Sequence, residues 1–224
     1  MEKLYMLAGA VAYLIGSIPS GLILTKVFLK RDVRQIGSGN IGATNVLRAG
    51  SRAVAIATLV CDALKPVAAF FAAMAIARAA SGAFTLGLGL WIYGDLELKM
   101  AVAGMALVGH CFPVYLKFKG GKGVATVWGG MFLFSWAIAA GLFAIWAAIL
   151  AATKKSSLAA IVVAVLAPLA FYLTPYAEPD SGRLGVFYAL LVLLVILRHA
   201  SNIRRLIAGS ESSVNFRKQE RDGR

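Results

Sequence analysis

The chain has 224 residues, 60% hydrophobic and 15% charged, with a mean hydropathy of +0.78. That composition excludes an ordinary soluble domain and indicates an integral membrane protein. The formal net charge of +13 comes without a basic helix or a base-stacking aromatic platform. It therefore reads as the positive-inside bias and an affinity for anionic headgroups, with no nucleic-acid partner.

Six apolar segments follow in order, at about 4 to 28, 53 to 77, 100 to 116, 124 to 152, 157 to 175 and 184 to 197. The first is read as a retained span: its basic start is a lone Lys3, its apolar run is too long for a signal sequence, and Lys26, Lys30, Arg31 and Arg34 follow it. Its "GSIPSG" (16 to 21) offers small residues for close helix packing and a proline break. The second carries Asp62 and Lys65 three positions apart beside Pro66, an ion pair that either braces the bundle or serves function. His110, near the middle of the third, is expected as a buried packing or hydrogen-bonding group. Cys61 and Cys111 are expected as two reduced, buried thiols, since no spacing suits zinc or a disulfide framework.

Basic residues crowd into 26 to 52, 117 to 122, 154 to 155 and the tail from Arg198, which places those stretches in the cytoplasm. The connections 80 to 99 (Asp95, Glu97, Lys99) and 175 to 183 (Glu178, Asp180, Arg183) lack a basic excess and are expected outside. With Lys122 and Lys154 both inside, the stretch 124 to 152 must leave and return, as two short helices of about 14 residues turning near Ser135 and Trp136, or as a re-entrant loop. The fold expected is thus an all-α integral membrane protein of seven transmembrane helices, N-terminus outside and C-terminus cytoplasmic. The alternative, one tilted helix of about 29 residues, puts Lys154 and Lys155 outside. One domain is expected over 1 to 211, followed by a frayed polar tail over 212 to 224. No internal repeat is evident.

Three polar islands then emerge at one face. In "IGSGNIGATNVLRAG" (36 to 50), Gly37, Gly39 and Gly42 permit positive φ and close backbone approach, so that amide hydrogens converge on an anion. Ser38, Asn40, Thr44 and Asn45 add polar groups, and Arg48 adds a planar cation suited to phosphate. The G-x-G-x-x-G match there fails as a Rossmann fingerprint, because no strand precedes it. In "KFKGGKGVAT" (117 to 126), Lys119, Gly120, Gly121, Lys122 and Gly123 stand where a helix begins near Val124, which suits a dianion; Leu116 and Gly123 break the Walker pattern. In "RHASNIRRLIAGSE" (198 to 211), His199 and Asn202 share a face at helical spacing, near Arg204, Arg205 and Glu211. No G-x-S-x-G elbow occurs. Neither histidine has an aspartate five positions on; those positions hold Tyr115 and Arg204.

Together these three motifs closely resemble the bacterial acyl-phosphate:glycerol-3-phosphate acyltransferase family, PlsY, and "GSIPSG" and the Asp62 to Pro66 segment are similar to it too. The resemblance implies transfer of an acyl group from acyl phosphate to the 1-hydroxyl of sn-glycerol 3-phosphate, giving lysophosphatidic acid and phosphate in phospholipid synthesis. It implies no cofactor, no metal and no protein nucleophile, and a site facing the cytoplasm of the bacterial inner membrane. Carried over residue by residue, it makes Ser38, Arg48, Lys122, His199 and Asn202 the catalytic group. Gly37, Gly39, Asn40, Gly42, Thr44, Asn45, Lys119, Gly120, Gly121, Gly123, Ser157 and Glu211 are then substrate-binding, with Glu211 tying the third motif to the basic loops. The partners implied are the two substrates and the bilayer, and a soluble acyl-phosphate-producing enzyme is a candidate. An organic-phosphate transporter is the rival reading, but it calls for ligand groups near the midplane.

Overall fold

The computed structural model describes residues 2–81, 96–174 and 180–214. The helices in chain order are α1 (Glu2–Gly16), α2 (Ser20–Leu29), α3 (Ala43–Arg48), α4 (Arg52–Ser81), α5 (Leu96–Cys111), α6 (Val124–Met131), α7 (Trp136–Thr153), α8 (Ser156–Leu173), α9 (Ser181–Arg198) and α10 (Ala200–Ile207). Short 3-10 turns lie at Val33–Gln35 and Val114–Leu116. Six stretches among the described residues are long and apolar enough to cross a membrane: Leu4–Leu29, Arg52–Ala79, Leu96–Leu116, Trp136–Thr153, Ser156–Leu173 and Ser181–Arg198. The all-helical membrane fold follows. Asp95 and Glu178, used to place two connections outside, lie beyond the described residues.

Between Lys122 and Lys154 the chain does break into two helices, at Phe132 to Ser135, which excludes the single tilted helix. The halves are unequal, however. Helix α6 has 8 residues and α7 has 18, rises of about 12 and about 27 Å at about 1.5 Å per residue. The first is capped where Phe134 and Ser135 N–H groups bond to Met131 O, so it closes long before a full crossing.

The chain forms two compact units, residues 1–19 with 60–136 and residues 20–59 with 137–224. The first unit is held by small residues. Ala8, Ala12, Val102, Ala106 and Leu107 are fully buried between α1 and α5, and a Cβ on Gly16 or Gly109 would strike the facing backbone at Ala106 or Tyr13. Gly129 of α6 likewise lies on Ala63 O of α4. Without a hydrophobic driving force between helices in lipid, such close approach is what van der Waals packing requires. The "GSIPSG" stretch is the expected break, with α1 ending at Gly16 and α2 starting at Ser20.

In the second unit α8 and α9 pack through stacked Phe171 and Tyr188, whose centroids are 4.3 Å apart. Gly21 of α2 presses on Ile41 O, which seats the following loop. Exposed apolar residues such as Phe28, Leu169, Leu190 and Leu193 face outward, as lipid contact demands. Cys61 corrects one expectation. It is exposed, and only Cys111 is buried, because a spanning helix needs no polar face and its apolar side chains, thiols included, are stable against lipid.

Candidate active site

Two of the three motifs meet within the second unit. The loop from Val33 to Arg48 is organised by Asn45, which is 2% exposed. Its Nδ2 donates to the carbonyls of Val33 (2.9 Å), Ile36 (2.8 Å) and Asn40 (2.9 Å), and its Oδ1 accepts the Ser38 N–H at 3.1 Å. Three acceptors around one nitrogen fix the amide orientation. Asn45 is therefore spent inside the loop and acts on its shape. The chain closes this tightly because Gly37 and Gly39 sit at φ +53 and +70; at Gly37 a Cβ would meet Asn45 Oδ1 at 2.6 Å and Arg48 Cδ at 3.1 Å. The result leaves Ser38 and Arg48 exposed, with Asn40 half-buried and its Oδ1 without a partner. Gly42 caps the short helix α3 with extended backbone.

Asp32 steadies the approach to this loop. The Arg34 guanidinium binds both its oxygens, at 2.9 and 2.6 Å, and that hydrogen bonding holds the Asp32 pKa down to about 2.

The third motif is built around Glu211. Its Oε1 accepts from Ser157 Oγ and Asn202 Nδ2, both at 2.7 Å, and its Oε2 from Arg205 Nε at 2.7 Å. Burial opposes the carboxylate charge, but these donors outweigh it and keep the Glu211 pKa below the ordinary 4.5. Glu211 thus ties α10 to the first turn of α8. His199, 3% exposed, stands at the junction of α9 and α10 with Nδ1 2.8 Å from Val195 O. A carbonyl only accepts, so Nδ1 carries a proton and donates it.

Three bonds link the first motif, the start of α8 with the turn before it, and the residues that follow the third motif: Thr44 Oγ1 to Ser156 Oγ at 3.0 Å, Arg48 Nη2 to Ser212 Oγ at 2.6 Å, and Val214 N to Lys154 O at 2.7 Å. Loop 36–50, the Lys154–Lys155 turn and the segment 199–214 therefore share one end of this unit, as charge had indicated. Ser156 and Ser212 were missed by sequence reasoning. Ser156 adjoined the Ser157 candidate but carried no motif, and Ser212 fell in the stretch read as tail, whose first residues are instead held against the body.

The middle motif belongs to the first unit. Lys117 and Phe118 adopt φ +51 and +63, after which the backbone folds onto the end of α5. Gly121 N donates to His110 O at 3.0 Å. A Cβ at Gly120 would strike His110 O and Pro113, and one at Gly121 would enter the His110 ring. Gly123, at φ +83, caps α6 without a side-chain bond, leaving its first N–H groups oriented as an anion site requires. Lys119 is exposed and Lys122 half-buried. His110 lies at the end of α5 and not near its middle, and it is bonded, as expected, rather than idle.

A family model described as "Glycerol-3-phosphate acyltransferase" matches residues 6–209. Relatives of that name include one from Sinorhizobium fredii, 43% identical over 209 residues and covering 93% of this chain and 92% of its own length. Another, from Rhodospirillum rubrum, is 43% identical over 208 residues, covering 92% and 89%. The crystal structure of PlsY, an integral membrane glycerol 3-phosphate acyltransferase, in its glycerol 3-phosphate form superposes with a TM-score of 0.76 at 31% identity, over 94% of this chain and 96% of that one. Its lysophosphatidic acid form gives 0.73 at 31% identity, over 93% and 94%. The chain belongs to the glycerol-3-phosphate acyltransferase family.

Proposed function

We propose that this membrane acyltransferase moves an acyl group from an acyl phosphate to the 1-hydroxyl of sn-glycerol 3-phosphate. The hydroxyl oxygen attacks the acyl carbon, the bond from that carbon to the phosphate oxygen breaks, and the departing phosphate takes the hydroxyl proton. Lysophosphatidic acid and inorganic phosphate result. The relative solved with glycerol 3-phosphate and with lysophosphatidic acid supports this substrate and product.

The observation that carries the reading is the loop built on Asn45, which spends its polar interior on shape and leaves Ser38 and Arg48 exposed. Arg48 and Lys122 are the phosphate-gripping cations. Ser38, His199 and Asn202 orient the reacting groups, and Gly37, Asn40, Gly42 and Thr44, with Lys119, Gly120 and Gly123, offer amide and polar donors to the anions, while Gly39 and Gly121, whose N–H groups bond to Ile36 O and His110 O, shape the two loops. Asn45, Ser157 and Glu211 hold these parts in place. Because phosphate leaves as a stable anion, positioning and charge stabilisation supply the rate without a protein nucleophile.

The active face is cytoplasmic, in the bacterial inner membrane, with an external N-terminus and seven passes, of which the one through the 8-residue α6 is partial. Clustering of Arg48, Lys154, Lys155 and Arg205 at one end of the second unit supports that orientation. A soluble enzyme that makes acyl phosphate is the candidate partner.

The test uses purified protein in detergent with acyl phosphate and glycerol 3-phosphate. Phosphate release and lysophosphatidic acid formation are expected, both lost in Arg48→Ala with the fold retained. An acyl group trapped on Ser38 overturns the direct mechanism. A cysteine placed at Lys154, in a Cys61→Ala background, is expected to label only from the cytoplasmic side.

A further inference from the structure

Among the ionisable side chains buried in the first unit, three that the proposed chemistry does not use meet at one point. Asp62 and Lys65 lie on one face of α4, with Lys65 Nζ 2.7 Å from Asp62 Oδ1. His110 of α5 brings its Nδ1 to 3.2 Å from the same ammonium and 3.6 Å from Asp62 Oδ1. All three are at most 4% exposed.

Chemistry fixes the proton arrangement. An ammonium has donors only, so Nδ1 at 3.2 Å must accept, and 3.6 Å to the carboxylate is beyond hydrogen-bond reach. The neutral ring then carries its hydrogen on Nε2. That edge is the one against Gly121, where a Cβ would collide with it. The backbone of the same residue takes the Gly121 N–H at 3.0 Å, so His110 grips the glycine loop with both its ring and its carbonyl. One carboxylate, one ammonium and one neutral imidazole sum to zero charge, the form a low-dielectric interior tolerates.

We infer that Asp62, Lys65 and His110 are positioning residues for the glycine loop 119–123: Lys65, balanced by Asp62, orients His110, and His110 sets where Gly120 and Gly121 lie and hence where Lys122 and the first amides of α6 point. The inference rests on the reading that this loop grips a substrate phosphate. A brace without that role would hold α4 to α5 and leave substrate affinity alone.

The experiment measures KM for each substrate, kcat and thermal unfolding for the full chain in detergent, as wild type, Asp62→Asn/Lys65→Met, His110→Asn and Lys122→Ala. The double variant removes both charges together, so no lone ion is left buried. His110→Asn keeps a polar group near the Nδ1 position but deletes the rest of the ring, and it serves if the double variant does not fold. In the folded variants KM for one phosphate-bearing substrate is expected to rise by about tenfold or more, the other KM staying put, since small misplacements of a binding group cost that much. His110→Asn and Lys122→Ala are expected to affect the same substrate. If Lys122→Ala raises that KM while the double variant and His110→Asn lower only the melting temperature, the triad is a packing brace and the inference is overturned. If Lys122→Ala itself leaves both KM values unchanged, the phosphate-loop reading has failed, and the inference falls with it for that separate reason.

Discussion

Ser157 donates its hydroxyl to the Glu211 carboxylate at 2.7 Å across 54 positions of sequence. That single oxygen also takes the Asn202 amide, so one carboxylate fastens the first turn of α8 to the helix that carries the third motif.

Replacing Glu211 by Gln keeps the shape and removes the charge that three donors share. Stability is expected to fall by about 1–3 kcal/mol, the usual cost when a buried charge-assisted bond is lost. Because the folded pKa is depressed below 4.5, the stabilisation is complete above that value and is lost as pH drops through the folded pKa. Melting temperature measured from pH 7 downward should therefore decline below about 4.5 in the wild type, and less steeply in Glu211→Gln.

Asn45→Asp is nearly isosteric, yet it sets acceptor oxygens against the carbonyls of Val33, Ile36 and Asn40. A cost on the order of 3 kcal/mol is expected from the unmet acceptors, concentrated in the loop. Hydrogen exchange should show the Ser38 amide losing protection while α8 and α9 keep theirs, and acyl transfer should fall with the loop.

Glycines divide into those that must be glycine and those that need not be. Gly129→Ala drives a methyl into Ala63 O and is expected to lower stability by about 1–3 kcal/mol through overpacking. Gly141, in α7, has open space where a Cβ would stand, with nothing within 4 Å, so Gly141→Ala is expected to be neutral or to gain about 0.5 kcal/mol. Thermal scans in one detergent compare the pair directly.

The hydroxyls of Thr44 and Ser156 meet at 3.0 Å across 112 positions. A double-mutant cycle of Thr44→Val and Ser156→Ala is expected to give a coupling of about 0.5–1.5 kcal/mol. Additive losses would mean that the first motif and the Lys154 turn are held together by other contacts.

The membrane character, the spans, the break at Pro19 and the split between Lys122 and Lys154 were legible in the linear chain. Hydropathy, glycine, proline and flanking charge act on residues close in sequence, and lipid rewards them wherever they occur. Local chemistry also singled out the glycine-rich loops as candidate anion sites. It did not assign work within them: Asn45 looked like a ligand donor and proves to be the internal strut, because only the folded loop brings three carbonyls around its nitrogen.

The tertiary structure alone decided the long-range partners. Ser156 for Thr44, Ser212 for Arg48 and His110 for Gly121 are pairings of ordinary residues whose hydrogen bonds need an alignment of a few tenths of an ångström, and no local propensity encodes that. The unequal lengths of α6 and α7 have the same origin. Both halves are apolar in sequence, but Gly129 against Ala63 and the capping bonds at Met131 end the first after 8 residues.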